Sequence, residues 1–196
     1  MIKSLYKTYQ HWSETGAVFF FSDPHFDDVD CKIMNPNWIS ADEQIKIINS
    51  MVFKNDYLIL LGDIGNEKRL AELRCKNIVL LTGNHDRGCA IYEPYCKEVY
   101  DGPLFIADRI LISHEPINGL ENMCVNIHGH CHNSKWGMFG DMGHVNVAAD
   151  VAEWKPYSLK DMIVKDKILV NAINYHRFTI DNATENSMKG VLNELN

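Results

Sequence analysis

The sequence predicts a single α/β domain whose first half alternates strands and helices and whose second half is rich in strands. In the first half, short apolar runs are separated by helix-length spacers, which implies parallel strands joined by crossover helices. In the second half, the apolar runs indicate a hairpin and further strands. A length of 196 residues suits one well-buried domain, and neither a repeat nor a linker divides residues 1–196.

Three strands and two helices are predicted in the first half. The strands are apolar runs that end at polar turns, and they cover residues 17–22, 57–61 and 78–81. A helix should begin after Ser40, because Ser40 and Glu43 form a capping-box pattern and apolar residues follow at helical spacing. A short helix is predicted over residues 67–73. Residues 26–40 are rich in Asp, Asn and Pro and are predicted to form a loop.

The second half is predicted to contain a hairpin, two more strands and a helix. The hairpin spans residues 104–113 and turns near Asp108 and Arg109. Residues 125–128 and 144–147 form the two further strands. From Ser158 onward, apolar residues at helical spacing predict a helix whose end the pattern does not define.

Composition and charge narrow the classes of function. The net charge of −7 and the scattered Lys and Arg residues argue against a long nucleic-acid partner. The apolar run near the start is too short to span a bilayer and no secretory signal pattern is visible, so we expect no membrane partner and a cytoplasmic location. Six cysteines without a Cys-x-x-Cys pair predict reduced thiols. The oligomeric state is not defined by these patterns.

Five short polar motifs are the most informative feature of the chain. In order, they are Asp23-Pro24-His25, Gly62-Asp63, Gly83-Asn84-His85-Asp86, Ser113-His114 and Gly129-His130-Cys131-His132. The first three directly follow predicted strands. All five supply Asp, Asn or His, the side chains that bind hard or borderline divalent cations. Ligands gathered at strand ends predict one metal site on one edge of a sheet.

The ordered motifs resemble the calcineurin-like metallophosphoesterase family, and residues 146–159 resemble its small bacterial and phage members. The resemblance implies a two-layer β-sandwich flanked by helices, with α-β-β-α layers, and a two-metal site. The implied metal ligands are Asp23, His25 and His132 for one ion, Asn84, His114 and His130 for the other, and Asp63 as a bridge between the two.

Two divalent metal ions are the cofactors that the resemblance implies. Mn²⁺ is the first choice, with Fe, Ni²⁺, Zn²⁺ or Co²⁺ as alternatives, since carboxylate, imidazole and amide ligands suit these ions without a thiolate. A shared carboxylate such as Asp63 helps to hold two cations roughly 3.5–4 Å apart. A mononuclear metal hydrolase that resembles the family only in part is the alternative.

Two residues near the last motif need separate treatment. His128, His130 and His132 are two residues apart, so in an extended chain all three could face the same side, and spacing alone cannot choose two of them as ligands. The family pattern Gly-His-x-His selects His130 and His132, and His128 is then expected in the core or behind a ligand. Cys131 lies between two expected ligands and should point to the opposite face, with a role as a metal ligand as the alternative.

The resemblance also implies a mechanism. A hydroxide that bridges the two metals would attack phosphorus in line with the ester bond, without a covalent enzyme intermediate. His85 is the expected general acid that protonates the leaving alkoxide. Asp86 is expected either to orient His85 or to cap the following turn. Arg87 is a candidate phosphate contact, with a solvent-facing side chain as the alternative.

The expected substrate is a phosphodiester or a small nucleotide. Trp136 and Phe139 lie in a glycine-rich segment and are candidates for stacking on a base, with ordinary packing as the alternative. The loop 26–38 is a second candidate substrate-facing segment. The competing functions are a phosphomonoesterase or protein phosphatase of the same family, and a non-catalytic metal-binding scaffold. A scaffold typically lacks the catalytic Asn-His pair, whereas Asn84 and His85 are present.

Overall fold

A computed structural model describes residues 17–107, 110–120, 124–132 and 143–164. The first of its two sheets contains the predicted parallel strands. Its members are β1 (Val18–Phe21), β2 (Tyr57–Leu60), β3 (Asn77–Thr82), β4 (Glu98–Asp101) and β9 (Tyr157–Ser158). They are ordered β4-β3-β2-β1-β9, and all neighbours are parallel except the pair β1 and β9.

The second sheet contains four strands in chain order. They are β5 (Leu104–Ala107), β6 (Ile110–Ile112), β7 (Val125–His128) and β8 (His144–Asn146). β5 and β6 form the predicted antiparallel hairpin, whereas β6, β7 and β8 run parallel to one another. The expected hairpin turn at Asp108 and Arg109 lies outside the described residues.

The core lies between the two sheets, which confirms the expected β-sandwich. Alternate residues of the first sheet, such as Phe20 and Ile59, belong to the same buried cluster as Ile112 and Ile127 of the second sheet. This alternation follows from the two-residue period of a strand, which sends every other side chain to one face. The strands of the first sheet are nearly continuous apolar runs because their opposite face is also buried.

Helices cover that opposite face of the first sheet. They are α2 (Ala41–Met51) and a 3₁₀ helix at Glu67–Glu72, whereas α1 (Cys31–Met34) and a second 3₁₀ helix at Cys89–Ile91 lie in connecting segments. α3 (Leu159–Val164) follows β9, and its Leu159 and Met162 belong to the core between the two sheets. In α2, Ile45 and Ile48 pack in one buried cluster with Leu58. Within the described ranges, no helix has the length and apolar character to cross a membrane.

The start of α2 shows why the helix begins where the sequence predicts. The Ser40 hydroxyl accepts a hydrogen bond from the Glu43 backbone N–H at 3.3 Å. In return, the Glu43 carboxylate accepts one from the Ser40 backbone N–H at 2.9 Å. These two contacts satisfy amides that have no partner inside the helix, and the capping box is confirmed.

Four elements differ from the sequence-based expectation. β4 lies at the sheet edge, and its half-buried residues carry no apolar run that predicts a strand. β9 has only two residues. α1 is a single turn within the predicted loop 26–40, and the helix predicted over 67–73 is a 3₁₀ helix. The helix after Ser158 is described to Val164.

The parallel strands bring the polar motifs to one edge. β1, β2 and β3 are parallel and in register, so the segments after Phe21, Leu60 and Thr82 leave the sheet on the same side. β6 and β7 are also parallel, and they precede the last two motifs. Ligands commonly bind outside the carboxyl ends of parallel strands.

Candidate metal centre

The backbone at four predicted ligands is held in an uncommon conformation. Asp23, His25, Asp63 and His130 have φ angles of 55°, 42°, 53° and 65°, in the left-handed region that residues with a side chain rarely adopt. Backbone hydrogen bonds of 3.0 Å hold two of them, from Asp23 N to Gly62 O and from His25 N to Asp63 O. Such conformations cluster at functional sites, where surrounding contacts enforce them.

Two motif glycines allow the carboxylates to approach the chain. A Cβ on Gly83 would lie 2.3 Å from Asp63 Oδ1, and one on Gly129 would lie 2.2 Å from Asp23 Oδ2. Both distances are far below any van der Waals contact, so a larger residue would displace the carboxylate. The glycines of the third and fifth motifs are therefore required by packing at the site.

The first donor group comprises Asp23, His25 and His132, whose ligand atoms all lie within 4.8 Å of one another. His132 Nε2 is 3.5 Å from Asp23 Oδ1. Asp23 is fully buried, and its Oδ2 accepts a hydrogen bond from His130 N at 2.9 Å. Its Oδ1 has no hydrogen-bond partner within the described part of the chain. A buried carboxylate oxygen without a partner is costly, and a bound cation would satisfy it.

The second donor group comprises Asp63, His114 and His130, whose ligand atoms also lie within 4.8 Å of one another. Asn84 adjoins this group. Its Oδ1 is 2.8 Å from His114 Nε2 and 3.0 Å from His130 Nδ1. The first group has the same three residues as one of the ligand sets implied by the family resemblance, and the second group has Asp63 with two residues of the other set, His114 and His130. Together with Asn84, their donors are the carboxylate, imidazole and amide atoms that suit a borderline divalent cation.

Asp63 belongs to the second donor group and also faces the first. Its Oδ2 is 3.8 Å from His25 Nε2 and 3.4 Å from His114 Nε2. Its Oδ1 accepts a hydrogen bond from the backbone N–H of His85 at 2.9 Å. One carboxylate oxygen therefore faces a histidine of each group, while the other is anchored to the chain.

Backbone and carboxylate acceptors orient two of the imidazoles. His132 Nδ1 is 2.8 Å from Asp150 Oδ1, and His114 Nδ1 is 2.7 Å from the Leu61 carbonyl oxygen. Each contact requires a proton on Nδ1, so either imidazole, when neutral, carries its lone pair on Nε2. Metal-binding histidines are usually held in this way. Asp150 was not predicted as a site residue, although it lies in the stretch 146–159 that carries part of the resemblance.

The buried charges shift several pKa values. Burial raises the pKa of Asp23 above its ordinary value. Burial opposes the ionisation of Asp63 as well, but hydrogen bonding and charge interaction with His114 outweigh it and lower its pKa. Burial alone would lower the pKa of His114, yet the hydrogen bond to Asp63 and the charges of Asp23 and Asp63 raise it to about 9.

The structure separates the roles expected of His85 and Asp86. His85 is exposed, and its ring lies edge-on to that of His25 with a centroid distance of 5.6 Å. The expected hydrogen bond between Asp86 and the His85 ring is not among the contacts of the described residues. The carboxylate of Asp86 instead binds the chain, with acceptor distances of 2.9 Å to Asp63 N, 3.0 Å to Ile64 N, 2.8 Å to Gly83 N and 2.6 Å to the Tyr92 hydroxyl.

Asp86 therefore joins the turn that carries Asp63 to the turn that carries Asn84, which corrects the hypothesis that it orients His85. Arg87 is exposed at the same edge, in the loop that follows His85. Trp136 and Phe139, the predicted base-stacking residues, lie outside the described residues.

His128 lies apart from both donor groups. It is the last residue of β7 and is fully buried, with Nδ1 at 2.9 Å from the Gly129 carbonyl oxygen. Its ring lies edge-on to that of His144, and burial lowers its pKa to about 4. Cys131 belongs to none of the donor groups formed by the described residues. The structure thus places His128 in the interior of the second sheet, as the family pattern implied.

Trp38 forms an aromatic wall beside the first donor group. Its ring centroid lies 5.9 Å from that of His25, 5.6 Å from that of His132 and 4.8 Å from that of Trp154. Only 6% of Trp38 is exposed. The loop 26–38 therefore borders the site as expected, but its tryptophan packs against the imidazoles and does not present a free face to a substrate.

The sequence matches a family model described as calcineurin-like phosphoesterase over residues 17–178. The chain belongs to the calcineurin-like phosphoesterase family. This confirms the resemblance carried by the five motifs and extends it beyond them. The family consists of phosphoester hydrolases, and its members depend on divalent metals. No curated protein matches the sequence.

Two solved structures are similar to this phosphoesterase. The crystal structure of AQ665 from Aquifex aeolicus, described as a protein of unknown function, has a TM-score of 0.63 and 23% identity, over 78% of this chain and 98% of that chain. The crystal structure of the Pseudomonas putida nuclease MPE has a TM-score of 0.38 and 20% identity, over 59% and 60% of the two chains. The first similarity supports the fold.

Replacing Asp150 with Asn should weaken metal binding by this phosphoesterase without unfolding it. The substitution removes the charge that holds the proton on His132 Nδ1, and the loss of such an outer partner typically costs about 10- to 100-fold in metal affinity. Competition with a metal-sensitive chelator measures the change. Glu153→Gln is the matched control, since Glu153 lies on the same segment with its side chain 82% exposed. Unchanged affinity in Asp150→Asn would contradict the orienting role.

Replacing Asp86 with Asn should destabilise the fold. The amide group of Asn would point a donor at atoms that are themselves donors, so at least one hydrogen bond is lost, at a cost of about 1–3 kcal/mol in the free energy of unfolding. Urea unfolding of the metal-free protein measures this cost. Tyr92→Phe removes only the hydroxyl contact to Asp86 and should cost less. If Asp86→Asn were as stable as the parent protein, the role of Asp86 in joining the two turns would be contradicted.

Metal uptake should depend on pH through His114. A histidine must lose its proton to bind a metal, and the pKa of about 9 means that His114 is protonated at neutral pH in the chelator-treated protein. The apparent metal affinity should therefore rise as the pH increases toward about 9 and level off above it, with proton release at neutral pH. Titration calorimetry in buffers of different ionisation enthalpy detects the released proton. Uptake that is independent of pH over this range would refute the assignment.

Proposed function

We propose that this phosphoesterase hydrolyses a phosphodiester or a small nucleotide at a two-metal centre. The observation that carries the proposal is the position of Asp63, whose Oδ2 faces His25 Nε2 at 3.8 Å and His114 Nε2 at 3.4 Å. A single metal would need only one of the two donor groups. A shared buried carboxylate between two groups is typical of two-metal hydrolases.

The protein supplies a separate ligand set for each ion. One ion would be held by Asp23, His25 and His132. The other ion would be held by Asn84, His114 and His130. Asp63 would bind both ions. Two bound divalent cations would activate a water molecule and polarise the phosphoryl oxygens. Mn²⁺ is the first choice of ion, with Fe, Ni²⁺, Zn²⁺ or Co²⁺ as alternatives.

The charge balance of the site favours an anionic substrate. Asp23 and Asp63 are the two carboxylates among the proposed ligands, so two divalent cations would leave an excess of positive charge at the pocket. An acidic protein with a net charge of −7 can thus present a local cationic site to a phosphate ester. The negative charge elsewhere argues against a long nucleic acid, which supports a small ester as the substrate.

His85 is the proposed proton donor to the leaving alkoxide. Its side chain is exposed at the mouth of the site, next to the ring of His25, and belongs to neither donor group. The backbone N–H of His85 donates to Asp63 Oδ1, so the residue is held at the centre of the site through its main chain. Its imidazole remains available for proton transfer. Arg87, exposed in the same loop, is proposed to contact the phosphate.

A panel of aryl phosphate esters tests the proposed function. The protein is treated with a chelator, reloaded with Mn²⁺ and assayed on bis-aryl and mono-aryl phosphates. We expect metal-dependent hydrolysis with a preference for the diester, and two metal equivalents per chain. Faster monoester hydrolysis would favour the phosphomonoesterase alternative. A single equivalent would favour a mononuclear hydrolase, and no hydrolysis of either ester would favour the scaffold.

A further inference from the structure

A third group of side chains that could hold a metal ion shares His25 with the first donor group. It comprises His25, Asp28 and Cys31, whose ligand atoms all lie within 4.8 Å of one another. The three residues are spaced by three along one segment. The backbone N–H of Asp28 donates to the His25 carbonyl oxygen at 3.1 Å and closes the turn between them, and Cys31 begins α1. All three residues therefore lie within the short segment 25–31.

The donor atoms of this group converge. Asp28 Oδ1 accepts a hydrogen bond from Asp30 N at 3.0 Å, which leaves Oδ2 directed at His25 Nδ1, 3.6 Å away. Cys31 is 4% exposed, and no disulfide engages its thiol. The Asp28 side chain is 39% exposed, so an ion can reach the group from solvent.

We propose that His25, Asp28 and Cys31 form an inhibitory site for a thiophilic divalent cation such as Zn²⁺ or Cd²⁺. A set of sulfur, nitrogen and oxygen donors favours such ions, whereas Mn²⁺ and Mg²⁺ prefer oxygen-rich sets. Burial, with the charges of Asp28 and Asp30, raises the pKa of the Cys31 thiol to about 12. A cation that binds the sulfur would release the thiol proton to solvent.

Inhibition follows from the chemistry of a single imidazole. His25 Nε2 faces Asp63 in the catalytic centre, and His25 Nδ1 faces Asp28. A neutral imidazole carries one lone pair available to a metal, because its other ring nitrogen holds a proton. A cation bound at Nδ1 therefore withdraws His25 from the first donor group. The two sites compete for one side chain, and the thiophilic ion lowers the affinity for the ion held by Asp23 and His132.

The competing interpretation is that Asp28 only orients His25, as Asp150 orients His132. The distances separate the two cases, since 2.8 Å between His132 and Asp150 is a hydrogen bond and 3.6 Å between His25 and Asp28 is not. An orienting carboxylate also needs no cysteine beside it. The proximity of Cys31 is the observation that favours a metal site.

Cadmium titration of the Mn²⁺-loaded protein tests the proposal. Binding is followed by the ultraviolet charge-transfer absorbance of a cadmium–thiolate bond, and inhibition by hydrolysis of an aryl phosphate diester. We expect the absorbance to saturate together with the loss of activity. Cys31→Ser should lose the absorbance and weaken inhibition by more than the roughly 10- to 100-fold typical of an outer metal partner. Asp28→Asn should weaken both the cadmium binding and the inhibition. It replaces Cys31→Ser as the test variant if Cys31→Ser folds poorly.

Cys131→Ser is the matched control, because Cys131 also lies near the catalytic centre but outside the three donor groups. It should keep both the absorbance and the inhibition. Absorbance that persists in Cys31→Ser or disappears in Cys131→Ser would overturn the proposal, as would inhibition without any absorbance. The inhibition readout rests on the proposed function, whereas the absorbance does not, so a lack of hydrolysis in the parent protein leaves the binding test decisive.

Discussion

Replacing Asp63 with Asn is expected to remove both metal binding and hydrolysis, the largest effect of any single substitution at this site. Asp63 Oδ2 faces both donor groups, and Oδ1 is fixed by the His85 backbone N–H. An Asn side chain can keep the contact to His85 only by turning its NH₂ group toward His25 and His114. The variant would then present hydrogen atoms where two cations need a shared negative charge.

The expected loss of activity in Asp63→Asn exceeds the roughly 10²- to 10³-fold cost of removing one transition-state hydrogen-bond donor, because the ligand serves both ions. Elemental analysis after desalting measures the bound metal, and kcat/KM on a bis-aryl phosphate measures the activity. Asp42→Asn is the matched control, the same isosteric change at a carboxylate whose side chain is 81% exposed. A variant that retains two metal equivalents and near-parental activity would refute the bridging role.

Replacing His85 with Ala is expected to abolish turnover of esters with poor leaving groups while leaving the metal content unchanged. The imidazole belongs to neither donor group, and the backbone N–H that binds Asp63 survives the substitution. Loss of a positioned general acid typically costs about 10²- to 10⁴-fold. The cost should shrink as the leaving group becomes more acidic, since a stable anion departs without a proton.

A series of aryl and alkyl phosphate diesters with leaving groups of increasing pKa measures this dependence in His85→Ala and in the parent protein. The steeper dependence in the variant is the expected signature of a lost proton donor. An unchanged rate on the poorest leaving group would remove His85 from that role. Loss of metal from the variant would indicate instead that the imidazole contributes to the ligand sets.

The strands that were predicted correctly have buried side chains on one or both faces, and this burial gives them a recognisable apolar run. β2 is buried at every position, and its apolar run ends at the polar motif that follows. β4 and β9 lie at the two edges of the first sheet and carry half-buried residues, so no periodicity distinguishes them from loop. The capping box at Ser40 was predictable because it depends on two residues three positions apart.

The role of Asp86 shows the limit of reasoning from neighbours in sequence. Its position next to His85 favoured a contact between the two side chains. The carboxylate turns instead to the backbone of Asp63 and Ile64, more than twenty positions earlier, and to the Tyr92 hydroxyl. The hydrogen-bond partners of Asp86 lie mainly on another turn. Its role in joining the two turns therefore cannot be recognised before the folded structure is known.

By itself, the sequence determined the order of strands and motifs, the type of each donor and the family, because apolar runs and strand-end ligands are local features of the chain. Only the tertiary structure decided that Asp63 faces two histidines at once, that Asp150 holds His132, and that His128 is buried against His144. These relations join residues separated by up to about 50 positions, and in-register parallel packing, which no local pattern encodes, brings them within a few ångströms.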